Sequence, residues 1–444
     1  MSHQPLVAAP RVMARRPRFD GATPIAGPRR PVRRRDAGVR WDGVYWLACA
    51  GFALVLAGVT TQTTHRVWGV CASVGYAGAA VSAWPAPRRW GRTGALVAVT
   101  GAVVVPLVAL LAAGQAQAEV HVVEHSAGLL LSTGSPYAPH PVDVDDFNPY
   151  LPGMALLGLP HALLGDSPLG DARFWFAVVF FASLALAARR LVPGQSSLTV
   201  DTEPRPSALL LVAAFPAVAL PLAVGGIDLP VIGLMCLGLA LAGRRGPGTA
   251  AGLAMGAAAA LKWTAWPLLP VGLVLIAATS GRRAALRAAG TALAVAAVAV
   301  APSALVDPHA FVEHVVLFPL GAGGIGSPAT SPLPGYLLAH HVPGGRTLAV
   351  AALATSAVAM AVSLVVRPPR TVVAAADRLA LGLGLAMCLM PATRFGYFVY
   401  PLVLLAWFRR GRLPAPAAKP ADAARVKEVE RIGALVGAGE GARA

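Results

Sequence analysis

The sequence predicts an all-α membrane protein, built as a polytopic bundle of transmembrane helices. Hydrophobic residues occupy 56% of the 444 positions, whereas Asp, Glu, Lys and Arg together supply 13%, about half their share in an ordinary soluble domain. Apolar stretches of roughly 20 residues, the length that crosses a bilayer, recur along the chain. These stretches lack the alternation of polar and apolar residues that marks barrel strands. Helices are therefore predicted, because a helix satisfies its own backbone groups in lipid.

About twelve membrane-crossing segments are predicted from the length and apolar character of these stretches. They lie near residues 43–61, 66–84, 93–116, 171–190, 207–225, 228–243, 247–261, 264–280, 284–304, 346–366, 372–390 and 395–410.

The arginines predict how the chain is oriented. The net charge is +17, and clusters of arginine lie at alternate ends of the predicted spans. These clusters are Arg88/Arg89/Arg92, Arg189/Arg190, Arg244/Arg245, Arg282/Arg283/Arg287, Arg367/Arg370 and Arg409/Arg410/Arg412. Basic loops remain cytoplasmic, so we expect a multi-pass protein of the plasma membrane with both termini in the cytoplasm. Because the orientation of the chain in the membrane accounts for its positive charge, no nucleic-acid partner is predicted.

The chain divides into a membrane domain, residues 43–410, and two cytoplasmic tails. Residues 1–42 are rich in Arg and Pro, which predicts a disordered basic tail lying against anionic membrane lipids. Residues 411–444 form the second tail. Two outer loops, 117–170 and 305–345, are too long to be simple connections and are expected to carry function. Apolar residues predict two short membrane-surface helices in the first loop, near 119–132 and 150–164.

The first outer loop carries a family resemblance. Its run from Glu119 through the turn Ser132-Thr133-Gly134-Ser135-Pro136-Tyr137, followed by Phe147-Asn148-Pro149-Tyr150-Leu151-Pro152, resembles the GT-C membrane glycosyltransferases, especially glycosyltransferase family 87. The later segment Lys262-Trp263-Thr264-Ala265-Trp266-Pro267 is similar to a Lys-led segment of that family.

The resemblance implies a GT-C-like bundle with juxtamembrane helices on the outer face. It also implies transfer of a sugar, in this family mannose, from a polyprenyl-phosphate donor to a lipid or cell-envelope glycan acceptor. The family's catalytic acid corresponds to Glu119, and Tyr137 corresponds to a substrate-binding position. The family usually has Asp after its first span, whereas this chain has Glu after its third predicted span. A Glu carboxylate can also accept a proton from an acceptor hydroxyl, although Glu119 is equally compatible with a simple interfacial residue.

Glu124 is a second candidate for the catalytic base. It stands five residues after Glu119, roughly 140° further around a helix, so the two carboxylates should not face one site. His121 and His125 share the spacing of metal ligands, but the sequence specifies no third ligand beside them.

Lys262 and Arg394 are isolated basic residues near outer helix ends. A charge in apolar surroundings is costly and is often functional, so both are candidates to bind the phosphate of a lipid-linked donor. Asp228, in a short outer turn, is a candidate partner for one of them. Snorkelling of the two side chains to the membrane interface is the alternative interpretation.

Asp143, Asp145 and Asp146 form an acidic segment beside Phe147. Three carboxylates this close are a candidate site for a divalent cation that neutralises a phosphate leaving group. An exposed acidic turn between two prolines is the alternative.

Two other functions remain compatible with the sequence. Twelve spans are typical of secondary transporters, but the span interiors contain few of the polar groups that coupled transport requires. A non-enzymatic scaffold or degenerate transferase is the other alternative, because Glu replaces the usual Asp. The position of Glu119, Lys262 and Arg394 in three dimensions distinguishes these possibilities.

Overall fold

The computed structural model describes residues 41–83, 91–191, 208–320 and 329–409. All regular elements in these ranges are helical, and the one β-bridge among them joins Thr330 to Thr393. Both predicted tails, including the predicted disordered N-terminal tail, lie almost entirely outside the described residues.

The described helices of the first half follow one another in chain order. They are α1 (Trp41–Val59), α2 (Thr63–Ala83), α3 (Arg92–Ala112), α4 (Ala118–Thr133), α5 (Leu159–Leu164), α6 (Ala172–Leu191), α7 (Ala208–Ala213), α8 (Pro216–Val224) and α9 (Asp228–Ala242).

The described helices of the second half continue this order. They are α10 (Thr249–Leu261), α11 (Leu268–Ser280), α12 (Arg282–Val306), α13 (Pro308–Val312), α14 (Pro334–His341), α15 (Gly345–Val366), α16 (Val372–Leu389) and α17 (Val399–Arg409). Short 3-10 turns precede α5, α11 and α17, at Pro152–Leu157, Trp263–Ala265 and Phe395–Phe398.

Each of the twelve predicted segments is helical, which confirms the all-α membrane bundle. Within the described residues, seven helices are long and apolar enough to cross a membrane unaided. The other five predicted segments are shorter, broken or less apolar. For example, Pro216 separates α7 from α8, because proline cannot donate the helical hydrogen bond. The helix α10 ends at Leu261, and the next residue, Lys262, has an extended backbone.

The bundle has two chemically different ends. At one end, which we call the arginine end, the Arg244 guanidinium donates to the carbonyl of Arg190 (3.1 Å), and Ser280 donates to the carbonyl of Arg244 (3.2 Å). At the other end, which we call the site end, the Gln117 amide donates to the carbonyl of Val224 (3.0 Å). Consecutive spans therefore run in alternating directions between these two ends.

Small residues and an interrupted helix bring the first helices together. Pro106 has no N–H to donate to the carbonyl of Ala102, and α3 contains a π-helical turn over Thr100–Val104. The indole of the buried Trp68 donates to the carbonyl of Ala102 (2.8 Å). A Cβ on Gly75 would lie only 2.5 Å from the Cα of Gly101, so α2 and α3 touch through their backbones.

Gly252 and Gly256 lie four residues apart on α10, a spacing of small residues that is typical of close helix–helix contacts. A Cβ at these positions would lie 2.5 Å from the carbonyl oxygen of Ala288 and 2.7 Å from that of Ala292. The small residues therefore let α10 approach α12 closely.

Candidate active site

The first long loop is folded rather than extended, as the sequence predicted. Its two apolar stretches form α4 and the helical segment Pro152–Leu164. Gly134 ends α4 in the left-handed conformation, at φ 80°, which glycine adopts without steric cost. The Leu151 amide donates to the carbonyl of Leu261 (3.1 Å). This contact joins the loop to the end of α10.

Two ion pairs lie at the site end. Arg394, between α16 and α17, donates to the carboxylate of Glu119 in the first turn of α4. Lys262, directly after α10, donates to the carboxylate of Asp228 at the start of α9 (2.6 Å). The two pairs are close enough for Glu119 to interact electrostatically with Lys262. We call these four residues the charged cluster.

Exposure distinguishes the two ion pairs. The Lys262 and Asp228 side chains are 8% and 15% exposed, whereas those of Arg394 and Glu119 are 34% and 20% exposed. Opposite charges stabilise one another most strongly where water is excluded. The Lys262–Asp228 pair is thus the fixed part of the cluster, and the Arg394–Glu119 pair is the more accessible part.

Aromatic side chains surround the buried pair. The Lys262 ammonium lies 5.4 Å from the centre of the Tyr150 ring and 5.1 Å from that of Tyr397, within the range of cation–π attraction. The Tyr400 hydroxyl donates to Asp228 (2.7 Å) and contacts the Thr264 hydroxyl (2.8 Å). These contacts hold both charged groups of the pair in fixed positions.

The second long loop positions Arg394. The Thr393 amide donates to the carbonyl of Ala329 (3.0 Å), and the Ser331 amide donates to the carbonyl of Thr393 (2.9 Å). On the other side of Arg394, the Phe395 amide donates to the Ser331 hydroxyl (3.1 Å). The backbone is therefore fixed on both sides of Arg394.

A buried histidine joins the two long loops. The backbone amide of Asn148 donates to Nδ1 of His314 (2.9 Å), so Nδ1 carries no proton. The other ring nitrogen, Nε2, therefore carries the proton and donates to the carbonyl of Ala138 (2.9 Å). Burial lowers the pKa of His314, because a charged imidazole is poorly solvated there.

We expect this histidine to make folding sensitive to acid. The folded-state pKa lies below the ordinary value of about 6.5, so the stability contributed by the neutral ring is present above that value. It declines as the pH falls from 6.5 toward the lower folded-state pKa. Thermal unfolding of the protein in lipid between pH 7.5 and 5.5 should show this loss. His314→Gln, which does not titrate, should be less stable at pH 7.5 but vary less with pH; an unchanged slope would contradict the assignment.

Glu124 lies on another face of α4 and has other partners. Its carboxylate accepts the backbone N–H of Ala172 (3.0 Å), at the start of α6. His121 and His161 lie 3.6 and 3.8 Å from its oxygens, and the carboxylate raises the pKa of His121. As the helical spacing predicted, Glu119 and Glu124 do not share a site. Glu124 stabilises the packing of α4 on α6.

Tyr137 is placed differently from the substrate-binding position predicted for it. Its side chain is 1% exposed, and its hydroxyl donates to the carbonyl of Tyr150 (2.9 Å). The ring packs against Phe311 and His314. In this position Tyr137 supports the segment that bears Tyr150, one of the rings beside Lys262.

The acidic segment does not form the predicted metal site. Asp146 accepts the backbone N–H groups of Val142 and Asp143, both at 2.9 Å, and these bonds lower its pKa. In the part of the chain that the structure describes, no group of three or more His, Cys, Asp or Glu side chains is placed to hold a metal ion. The carboxylates of Asp143, Asp145 and Asp146 instead belong to an exposed turn.

Sequence reasoning missed two residues near the charged cluster. Tyr150 attracted notice only as part of an aromatic stretch, yet its ring faces Lys262. His65, in the first turn of α2, interacts electrostatically with Glu119 and Arg394. Nothing in the local sequence around His65 indicates this, because the contact joins helices that are far apart along the chain.

The described residues form an apolar helix bundle with paired charges at one end, an arrangement that a membrane-embedded enzyme could use. Comparison with known families makes this specific, because the sequence profile of glycosyltransferase family 87 matches residues 148–391, more than half of the chain. The chain belongs to glycosyltransferase family 87 and is a membrane glycosyltransferase. No curated protein and no solved structure matches it. The matched range includes Tyr150, Asp228 and Lys262 but excludes Glu119 and Arg394.

Proposed function

We propose that the protein transfers a sugar, mannose by family resemblance, from a polyprenyl-phosphate donor to a hydroxyl of a lipid or cell-envelope glycan at the outer face of the plasma membrane. The observation that carries this proposal is the charged cluster. Two cations and two carboxylates converge at one end of an apolar bundle, where a donor anchored in the bilayer can reach them. Sugar transfer from a phosphate donor requires a carboxylate to accept a proton and cations to stabilise the leaving phosphate.

Glu119 is the proposed general base. Its carboxylate takes the proton of the acceptor hydroxyl as that oxygen forms a bond to the anomeric carbon of the donor sugar. The bond between the anomeric carbon and the phosphate oxygen breaks, and its electron pair leaves with the polyprenyl phosphate. Attack from the face opposite the phosphate inverts the anomeric configuration. The proton on Glu119 is then released to water.

Arg394 and Lys262 are the proposed phosphate-binding residues. Without donor, each cation is paired with a carboxylate. A donor phosphate competes for Arg394, the more exposed of the two cations, because guanidinium binds phosphate through two parallel hydrogen bonds. Its binding there frees the Glu119 carboxylate for the acceptor. Lys262, held by Asp228, adds positive charge that stabilises the phosphate as negative charge develops on it.

A direct assay tests this function. Purified protein in lipid nanodiscs would be given polyprenyl-phosphate mannose, and release of polyprenyl phosphate would be followed with a lipid extract of the cell envelope as acceptor. We expect turnover with this donor and none with the water-soluble nucleotide donor GDP-mannose. Turnover with GDP-mannose alone would contradict a lipid-linked donor.

Labelling tests the proposed orientation. We expect a cysteine at the exposed position His140 to react with an impermeant maleimide added outside intact cells, because the arginine end should remain cytoplasmic. A cysteine at Gly246, where a Cβ meets open space at the arginine end, should react only after lysis. Both would be introduced after replacing Cys49, Cys71, Cys236 and Cys388 with Ala. The reverse pattern would place the charged cluster in the cytoplasm.

A further inference from the structure

A cavity lies on the other side of α4 from the charged cluster. Its volume is about 560 Å³, within the range of small-molecule sites. It lies between α4 and α5, and the residues that line it are His121, Glu124, His125, Gly128, Leu129, Ser132, His161 and Ala162.

The cavity follows one face of α4. Its lining positions on this helix run from His121 to Ser132 at intervals of one, three or four residues, and such positions share a side of a helix. They extend over roughly 16 Å along the axis and lie about 140–280° around it from Glu119. A ligand in this cavity is therefore separated from Glu119 by the helix itself.

The chemistry of the lining selects a ligand rich in hydroxyl groups. None of the eight lining residues is Lys or Arg, so the cavity lacks the permanently charged cations that most often bind phosphate. Three imidazoles, a carboxylate and the Ser132 hydroxyl instead offer hydrogen-bond donors and acceptors along one wall. Gly128 leaves room between them, because a Cβ at this position would meet nothing within 4 Å.

Exposed leucines beside the cavity indicate an apolar tail on the ligand. Leu131, Leu163 and Leu164 are 60%, 76% and 52% exposed, and each is within two residues of a lining residue. In a membrane-surface helix, such side chains face the acyl region of the bilayer. We propose that this cavity binds the carbohydrate head of a glycolipid, at a site separate from the charged cluster. Such a site would hold an acceptor or product lipid at the enzyme without involving the reacting groups.

Binding of octyl α-mannoside to the protein in nanodiscs tests the proposal, with octanol as the probe that lacks a sugar. We expect the mannoside to bind and octanol to bind at least 10-fold more weakly. Gly128→Leu fills the cavity without meeting another atom at Cβ and should weaken mannoside binding by about 10-fold or more, since several hydrogen bonds are lost. Gly290→Leu is the matched control, because its Cβ also meets open space but lies on α12; it should bind normally.

Two further variants complete the test. Ser132→Leu, at the far end of the cavity, should also weaken mannoside binding, so the test remains valid if one of the two leucine variants fails to fold. Arg394→Gln should leave the binding intact, whatever it does to sugar transfer, because Arg394 belongs to the charged cluster. Loss of binding in Arg394→Gln would mean that the mannoside occupies the charged cluster. Unchanged binding in both leucine variants, or equal binding of octanol, would overturn the proposal.

Discussion

Glu119→Gln is expected to slow sugar transfer by about 10²- to 10⁴-fold, the range typical for loss of a general base. Gln has nearly the same size and can still accept a hydrogen bond from Arg394, so the contact between α4 and the segment before α17 should persist. What disappears is the carboxylate that we propose takes the proton from the acceptor. The loss should appear in the rate at which bound donor reacts, measured as single-turnover release of polyprenyl phosphate. The affinity for donor should change much less.

Glu124→Gln is the matched control for this variant, because it makes the same change on another face of the same helix. The Gln carbonyl oxygen can still accept the Ala172 amide that Glu124 accepts. We therefore expect most of the activity to remain. Normal single-turnover rates in Glu119→Gln would reject Glu119 as the base. Activity lost only in Glu124→Gln would assign the base to Glu124.

Lys262→Met should affect both stability and donor binding. It leaves the Asp228 carboxylate, 15% exposed, without its cation, and breaking a buried ion pair in this way typically costs about 3–5 kcal/mol. Donor affinity should also fall by about 10- to 100-fold, the value of a hydrogen bond to a charged group. The free energy of unfolding in lipid and the dissociation constant of polyprenyl-phosphate mannose measure the two effects.

The double variant Lys262→Met/Asp228→Asn separates these effects. Removing the unpaired carboxylate should restore much of the lost stability, whereas donor affinity should stay low because the cation is still missing. Asn can retain the hydrogen bond from the Tyr400 hydroxyl that Asp228 accepts. Recovery of donor binding in the double variant would show that Lys262 acts only by supporting Asp228, and the phosphate contact would have to be assigned to Arg394 alone.

The helical membrane fold and the residues of the charged cluster could be predicted from the sequence because both depend on where apolar stretches are interrupted by charges. Charges are costly in apolar surroundings, so Glu119, Asp228, Lys262 and Arg394 stand out where they interrupt or border apolar stretches. The sequence could also suggest that Asp228 pairs with a cation, since both lie at the same predicted end of the bundle. It could not specify that Lys262 is that cation, because the choice depends on how α9 and α10 pack.

The placements that the sequence did not predict have a different cause. The predictions for Tyr137 and the acidic segment rest on their neighbours in sequence, but their partners are set by tertiary packing. Tyr137 supports the backbone of Tyr150, and Asp146 binds amides of its own turn. The buried position of His314 depends on Asn148 and Ala138, which lie in the other long loop. Contacts between two irregular loops leave no periodic signal in the sequence.

The paired charges of the cluster also determine how the enzyme responds to a membrane potential. Two cations and two carboxylates sum to zero, and a donor phosphodiester adds one negative charge. During the proposed transfer the leaving phosphate gains a negative charge while Glu119 becomes neutral by taking a proton, so the total in the cluster does not change. Moving one charge through the full potential is worth about 2.3 kcal/mol per 100 mV. Sugar transfer at this site involves no such movement and should proceed equally well in energised and de-energised membranes.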